Sequence, residues 1–172
     1  MIKDYNYLCR GLLWTCLTLL SLTITSCTSK NYNAIAHNIS KKSGLIPAEI
    51  KGGKFILRVY YRFDKPGTPL HVYLEGDGRS WLTPSRASYN PTPHDPVGLS
   101  LAVRDTSDNV LYIARPCQYV SFDKNSNCKY PYWTHKRFAP EIIRSVAAVI
   151  DRGKQMSKGS GIEIIGFSGG GA

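Results

Sequence analysis

The residues best suited to chemistry lie at positions 166–170, where the sequence reads Gly-Phe-Ser-Gly-Gly. The apolar residues 162–165 run directly into this segment and predict a buried strand. Gly166 and Gly170 lack the Cβ atoms that would clash if the chain turned sharply from that strand into a helix. A turn of this kind exposes the hydroxyl of Ser168 as a nucleophile, and the N–H groups that follow can stabilise an oxyanion.

A second segment of interest, Glu-Gly-Asp-Gly at residues 75–78, follows a predicted strand at residues 70–74. Taken alone, the segment also fits a plain tight turn. Its position after a strand, combined with the serine turn, makes a plain tight turn the weaker interpretation.

These two segments resemble the N-terminal half of the α/β-hydrolase superfamily, over residues 50–172. The resemblance implies a mostly parallel sheet with flanking helices, and hydrolysis of an ester or related acyl bond by Ser168. It implies oxyanion donors at the backbone N–H groups of Gly169 and Asp77, with Glu75 in place of the histidine of a His-Gly pair. The strand end at residues 114–117 and the Tyr-Trp pair at 132–133 are weaker similarities.

The base of a catalytic triad is not apparent after the serine. In this superfamily the acid and then the histidine follow the nucleophile, whereas all four histidines of this sequence precede it. Recruiting His94 or His135, both in predicted loops, would break that order. The sequence therefore predicts a truncated hydrolase that is inactive and poorly soluble alone. The alternative is a non-catalytic cell-envelope lipoprotein with a degenerate hydrolase half-domain.

Strands alternate with helices along residues 51–172, which predicts an α/β domain. Strands are expected at residues 55–63, 70–74, 110–114 and 162–165. One helix is expected to begin at Asp95 and Pro96, as N-cap and first turn, and a second at Pro140. The Tyr-Pro-Tyr-Trp stretch at residues 130–133 fits either the lining of a site or a cover over the core.

The N-terminus has the layout of a secretory signal, because Lys3 and Arg10 precede a short apolar stretch. The sequence Ile-Thr-Ser-Cys at residues 24–27 resembles a bacterial lipobox, in which the cysteine is lipidated and becomes the new N-terminus. An uncleaved membrane helix would need about 20 predominantly apolar residues, and this stretch is shorter. We therefore expect a signal peptide at 1–26, a lipid anchor on Cys27, and a tether at 27–50. Thr28 after the cysteine points, by resemblance, to the outer membrane, with the protein facing the periplasm.

Cys117 and Cys128 are the two cysteines in the body of the chain. In an oxidising periplasm they can pair. A zinc site is the alternative, but zinc usually takes four ligands at short spacings, and the nearest histidine, His135, does not offer such a spacing. A disulfide is the better interpretation, and we expect no metal.

The formal net charge is +10, from 22 basic and 12 acidic residues. The basic residues are scattered, with no Lys/Arg-rich run of the kind that marks a nucleic-acid site, so the charge fits an anionic membrane surface better. A dinucleotide fingerprint would need a third glycine after residues 76–78, where Trp81 stands instead. We expect no cofactor and no nucleic-acid partner; the expected partners are the membrane and a small-molecule or lipid ester.

Overall fold

The computed structural model describes residues 31–172. The predicted signal peptide and the predicted lipidation site at Cys27 lie outside these residues. The described helices are α1 (Tyr32–Lys41), α2 (Val97–Ala102) and α3 (Pro140–Ser157), with 3-10 turns at Tyr130–Trp133 and Ser168–Gly170. The strands are β1 (Ile46–Gly52), β2 (Phe55–Phe63), β3 (Leu70–Leu74), β4 (Trp81–Thr83), β5 (Arg86–Ala87), β6 (Asn109–Ile113) and β7 (Ile162–Gly166).

Five strands form a mixed sheet in the order β1-β2-β6-β3-β7, and β4 pairs with β5 in a separate hairpin. Strand β2 runs antiparallel to both β1 and β6. Strand β3 runs parallel to β6 on one side and to β7 on the other. The parallel pairs, joined through helices, confirm the predicted α/β class.

Helices cover both faces of the sheet. On one face, α1 and α2 pack over a cluster that includes Ala36, Leu99 and Tyr112. On the other face, α3 lays Ile142 and Val149 on the buried side chains of β2, β3 and β6. Because β6 is covered on both faces, all five of its residues are buried. This agrees with the continuous apolar run that the sequence shows there.

The four predicted strands and both predicted helices are present, but the expected tether is wrong for residues 32–50. Part of that stretch forms α1, and residues 46–50 belong to β1, which pairs along its length with β2. Pro47 and the alternating charges of β1 conceal it in the sequence. An edge strand tolerates both, since one of its sides makes no ladder hydrogen bonds. The folded domain thus begins well before the predicted boundary at residue 51.

The start of α2 also differs from the prediction. The N-cap residue is Pro96, not Asp95, and it makes no side-chain cap bond. The carboxylate of Glu75 serves instead, because it accepts hydrogen bonds from the N–H groups of Gly98 (3.2 Å) and Leu99 (3.4 Å). A carboxylate at a helix N-terminus satisfies free N–H groups and complements the helix dipole.

The predicted disulfide between Cys117 and Cys128 is confirmed, with a Cα–Cα distance of 5.5 Å. It closes a loop whose first residues, Gln118 and Tyr119, are buried.

Strand β7 lies at the edge of the described sheet. Its outer residues are open, and Ile164 is 57% exposed. Among residues 31–172, no helix combines the length and the apolar character needed to cross a membrane.

Candidate active site

Ser168 lies where β7 ends and the chain turns into a short 3-10 helix. The preceding residue, Phe167, still donates its N–H to the carbonyl of Leu74 on β3 at 3.1 Å, so the serine follows directly on the sheet ladder. Ser168 has a φ of +50°, in a region that residues with a side chain rarely adopt. A strained backbone at an exposed serine is the geometry expected of a nucleophile turn.

The two flanking glycines are required by close packing. A Cβ placed on Gly166 would lie closer than 3.0 Å to the backbone of Gly170 and Gly171. A Cβ on Gly170 would lie 2.5 Å from the carbonyl oxygen of Glu75 and 2.6 Å from that of Leu74. A side chain at position 166 or 170 would therefore clash with the backbone, as the sequence predicts.

The loop at residues 75–78 packs directly against the serine turn. A Cβ on Gly76 would lie 3.2 Å from the Cβ of Ser168 and 3.1 Å from the carbonyl oxygen of Phe167. Only a residue without a side chain allows this approach. The structure thus brings together the two segments that the sequence singled out.

Glu75 fixes the start of that loop. Its side chain is almost fully buried and accepts four hydrogen bonds from neutral donors. The donors are the N–H groups of Gly76, Gly98 and Leu99 and the hydroxyl of Tyr112. Burial, followed by the charge of Glu75, raises the pKa of Tyr112 well above its ordinary value, so this hydroxyl stays protonated and donates. The residue that replaces the expected histidine is therefore an anchor for the loop.

The predicted oxyanion donors, Asp77 and Gly169, lie next to one another. The carboxylate of Asp77 occupies the space beside the Cα of Gly169. Within residues 31–172 neither of the two backbone N–H groups has a hydrogen-bond acceptor. Both residues are partly exposed, so these N–H groups, beside an exposed serine, can donate to an incoming oxygen atom.

Gln118, which the sequence did not identify, braces the same loop. Its side-chain amide donates to the carbonyl of Gly76 at 3.0 Å and accepts from the N–H of Arg115 at 3.1 Å. Because it follows Cys117, the disulfide restrains the segment that carries it. Its position directly after Cys117 is the signal that the sequence offers.

An open cavity of about 350 Å³ lies above Ser168. His94 lines it, but the ring of His94 stacks on Tyr32, with centroids 4.3 Å apart, and its Nε2 accepts from Arg79 at 3.2 Å. Within the described chain, the hydroxyl of Ser168 has no hydrogen bond to a histidine. The other lining residues are Glu75, Asp77, Gly78, Arg79, Trp81, Pro93, Asp95, Phe167 and Ser168.

The remaining candidate residues lie elsewhere. His71 is in β3 as predicted, where its Nδ1 lies 2.8 Å from Asp105 Oδ2. His135 is exposed in a loop. Trp133 belongs to the core and donates its indole N–H to the carbonyl of Ser88, and no residue of the aromatic stretch lines the cavity at Ser168.

Residues 31–172 contain no cluster of three or more His, Cys, Asp or Glu side chains that could hold a metal ion. The chain matches no protein-family model and no curated protein. Its function is therefore argued from the geometry of the serine turn and the loops around it.

Proposed function

We propose that this protein is a serine hydrolase of ester or related acyl bonds, of the α/β-hydrolase type. One observation carries the proposal: Ser168 is exposed at a strained turn after β7, beside two backbone N–H groups that have no acceptor within residues 31–172. A nucleophile and oxyanion donors must be adjacent for acyl transfer, and the adjacency of Ser168 to these N–H groups supports the proposal.

The topology of the sheet supports this location. The chain passes from β3 through α2 to β6 on one side, and then through α3 to β7 on the other side of β3. In open α/β sheets, ligands bind outside the carboxyl ends of the strands where successive connections diverge in this way. Ser168 and the loop at residues 75–78 follow the carboxyl ends of the two adjacent strands β7 and β3.

The proposed reaction begins when the hydroxyl oxygen of Ser168 attacks the substrate carbonyl and its proton passes to a general base. The N–H groups of Asp77 and Gly169 donate to the oxyanion of the tetrahedral intermediate. Collapse of the intermediate releases the alcohol, which takes the proton, and leaves an acyl ester on Ser168. Water then attacks this ester by the same route and releases the acid.

The general base has two candidate sources. His94 lines the cavity above Ser168, and it would have to exchange its contact with Arg79 for one with the serine. The chain order of the superfamily favours instead a histidine that follows the nucleophile. A His94→Gln variant separates the two: it abolishes hydrolysis in the first case and leaves it within about twofold in the second.

Hydrolysis of p-nitrophenyl acetate by the protein expressed from its own gene tests the proposal. We expect a burst of p-nitrophenol with an acetyl group on Ser168, and we expect Ser168→Ala to abolish both. Ser160→Ala, an exposed serine just before β7, is the matched control and should leave both unchanged. Hydrolysis that survives Ser168→Ala would contradict the proposal, and a folded protein without any hydrolysis would favour the non-catalytic alternative.

We further propose that Cys27 anchors the protein by lipid in the outer membrane, facing the periplasm. The lipobox-like sequence at residues 24–27 supports this, together with a disulfide, which is typical of exported proteins. A small-molecule or lipid ester at that surface would then be the substrate.

A further inference from the structure

Three charged side chains from three different loops meet beside the serine turn. Asp77 comes from the loop after β3, Arg115 from the segment after β6, and Arg137 from the segment before α3. Arg115 Nη1 lies 3.4 Å from Asp77 Oδ1, and Arg137 Nε lies 3.1 Å from Asp77 Oδ2. Both contacts are ion pairs and not hydrogen bonds, since Asp77 Oδ1 and Arg137 Nε have no hydrogen-bond partner among residues 31–172.

Arg115 also holds the serine turn itself. Its Nη1 donates to the carbonyl oxygen of Gly169, and its Nη2 donates to the carbonyl oxygen of Arg137. Through its contacts with Asp77 and Gly169, a single guanidinium therefore touches both residues whose N–H groups are the proposed oxyanion donors. The planar fork of arginine spans the carbonyl oxygens of Gly169 and Arg137 with two nitrogens, whereas lysine offers a single ammonium.

Arg115 is the best shielded member of the group, since the side chains of Asp77 and Arg137 are 28% and 39% exposed. The Arg115 side chain is 12% exposed, and the ring of Phe138 lies under both guanidinium groups, with centroid distances of 5.2 Å and 4.8 Å. Burial, and to a lesser degree Arg137, lower the pKa of Arg115, and the carboxylate of Asp77 opposes them. An arginine buried at this site, where no other carboxylate lies within 4.0 Å of it in the described chain, needs a structural or functional reason.

The carboxylate of Asp77 would be unfavourable here without the arginines. It lies against the Cα of Gly169, and in the proposed reaction it would therefore be close to the negative charge that develops on the substrate oxygen. A negative carboxylate close to the negative oxyanion would raise the free-energy barrier of acyl transfer. With both arginines in place, the group carries a net positive charge, which favours the oxyanion.

We propose that Arg115 is a positioning residue that fixes the two oxyanion donors relative to each other, through the Asp77 carboxylate on one side and the Gly169 carbonyl on the other. This rests on the proposed function. The side chain of Asp77 holds the loop in position through its ion pairs with the arginines, while its backbone N–H donates to the oxyanion. Arg137 completes the enclosure of the carboxylate.

The test uses hydrolysis of p-nitrophenyl acetate by the protein expressed from its own gene. We expect Arg115→Lys to lower kcat by about 10- to 100-fold with KM little changed, because misplaced donors lose contacts made in the transition state. Arg144→Lys, on the exposed side of α3, should match the unchanged protein. In Arg115→Ala, millimolar guanidinium should restore part of kcat, and ammonium should not.

A double-mutant cycle adds a second measure. Asp77→Ala keeps its backbone N–H, so the combined Asp77→Ala and Arg115→Lys loss in kcat should be clearly smaller than the product of the single losses. Unchanged kcat in folded Arg115→Lys, or independent losses in the cycle, would overturn this inference alone. Hydrolysis that survives Ser168→Ala, or that is absent from the folded protein, would overturn the proposed function and this inference with it.

Discussion

The carboxylate of Glu75 accepts a hydrogen bond from the hydroxyl of Tyr112 at 3.1 Å, and both side chains are buried. Three backbone N–H groups complete the set of donors around this carboxylate. Together these hydrogen bonds join the end of β3 to β6 and to the start of α2. It thereby sets the direction of the loop that reaches Ser168.

Glu75→Gln should destabilise the fold although it preserves shape, because the amide NH₂ would face donors where an acceptor is needed. We expect a loss of about 1–3 kcal/mol in the free energy of unfolding, measured in urea. Tyr112→Phe removes one donor and should cost less. Glu163→Gln, at a carboxylate that is 64% exposed, is the control. Equal stability of Glu75→Gln and this control would refute the anchoring role.

A second cluster predicts a dependence of stability on pH. Burial raises the pKa of Asp105, but hydrogen bonds from Ser107, His71 and Tyr73 outweigh it and lower that pKa from 3.8 to about 2. A lowered carboxylate pKa stabilises the fold above the unfolded value of 3.8, and this contribution is lost as the pH falls from 3.8 towards 2. Asp105 thus contributes about 2 kcal/mol at neutral pH.

Asp105→Asn should therefore be less stable than the unchanged protein by about that amount at pH 6, and the difference should shrink as the pH falls from 4 to 2. Urea unfolding at each pH gives the two curves. The exposed Asp151→Asn on α3 should show no such convergence. A difference for Asp105→Asn that stays constant down to pH 2 would be inconsistent with the lowered pKa.

The serine turn was predictable because its causes are local. The glycines at 166 and 170 and the apolar strand before them lie within a few residues of Ser168. The hydrogen bonds of Glu75 and Arg115 could not be predicted from the sequence, because their partners lie far along the chain. Gly98 lies 23 positions from Glu75, and Gly169 lies 54 positions from Arg115. Contacts between residues so far apart in the chain produce no periodic pattern in the sequence. Strand β1 was missed for another reason, since its edge position permits the polar residues and Pro47 that disguise it.

The disulfide between Cys117 and Cys128 should contribute about 3 kcal/mol to stability, by restricting the unfolded chain. Cys117→Ser with Cys128→Ser should lose this amount in guanidinium unfolding under oxidising conditions. The same experiment with dithiothreitol should bring the unchanged protein to the level of the variant. Non-reducing peptide mapping of the isolated protein should find the two peptides joined. Free thiols at both Cys117 and Cys128 would contradict the disulfide.

Lipidation at Cys27 is expected from the sequence at residues 24–27. Metabolic labelling with a clickable palmitate analogue should mark the protein, and Cys27→Ala should abolish the mark. Cys16→Ala, within the predicted signal peptide, should leave the mark in place. Equal labelling of the unchanged protein and Cys27→Ala would show that the anchor lies elsewhere or does not exist.

The nucleophilic role of Ser168 is tested most directly by peptide mapping after reaction with a fluorophosphonate. The protein expressed from its own gene should carry the phosphonyl group on the peptide that contains Ser168, with Ser168→Ala unlabelled and Ser160→Ala labelled normally. A folded protein that reacts at another residue, or that leaves Ser168 unmodified, would contradict the account.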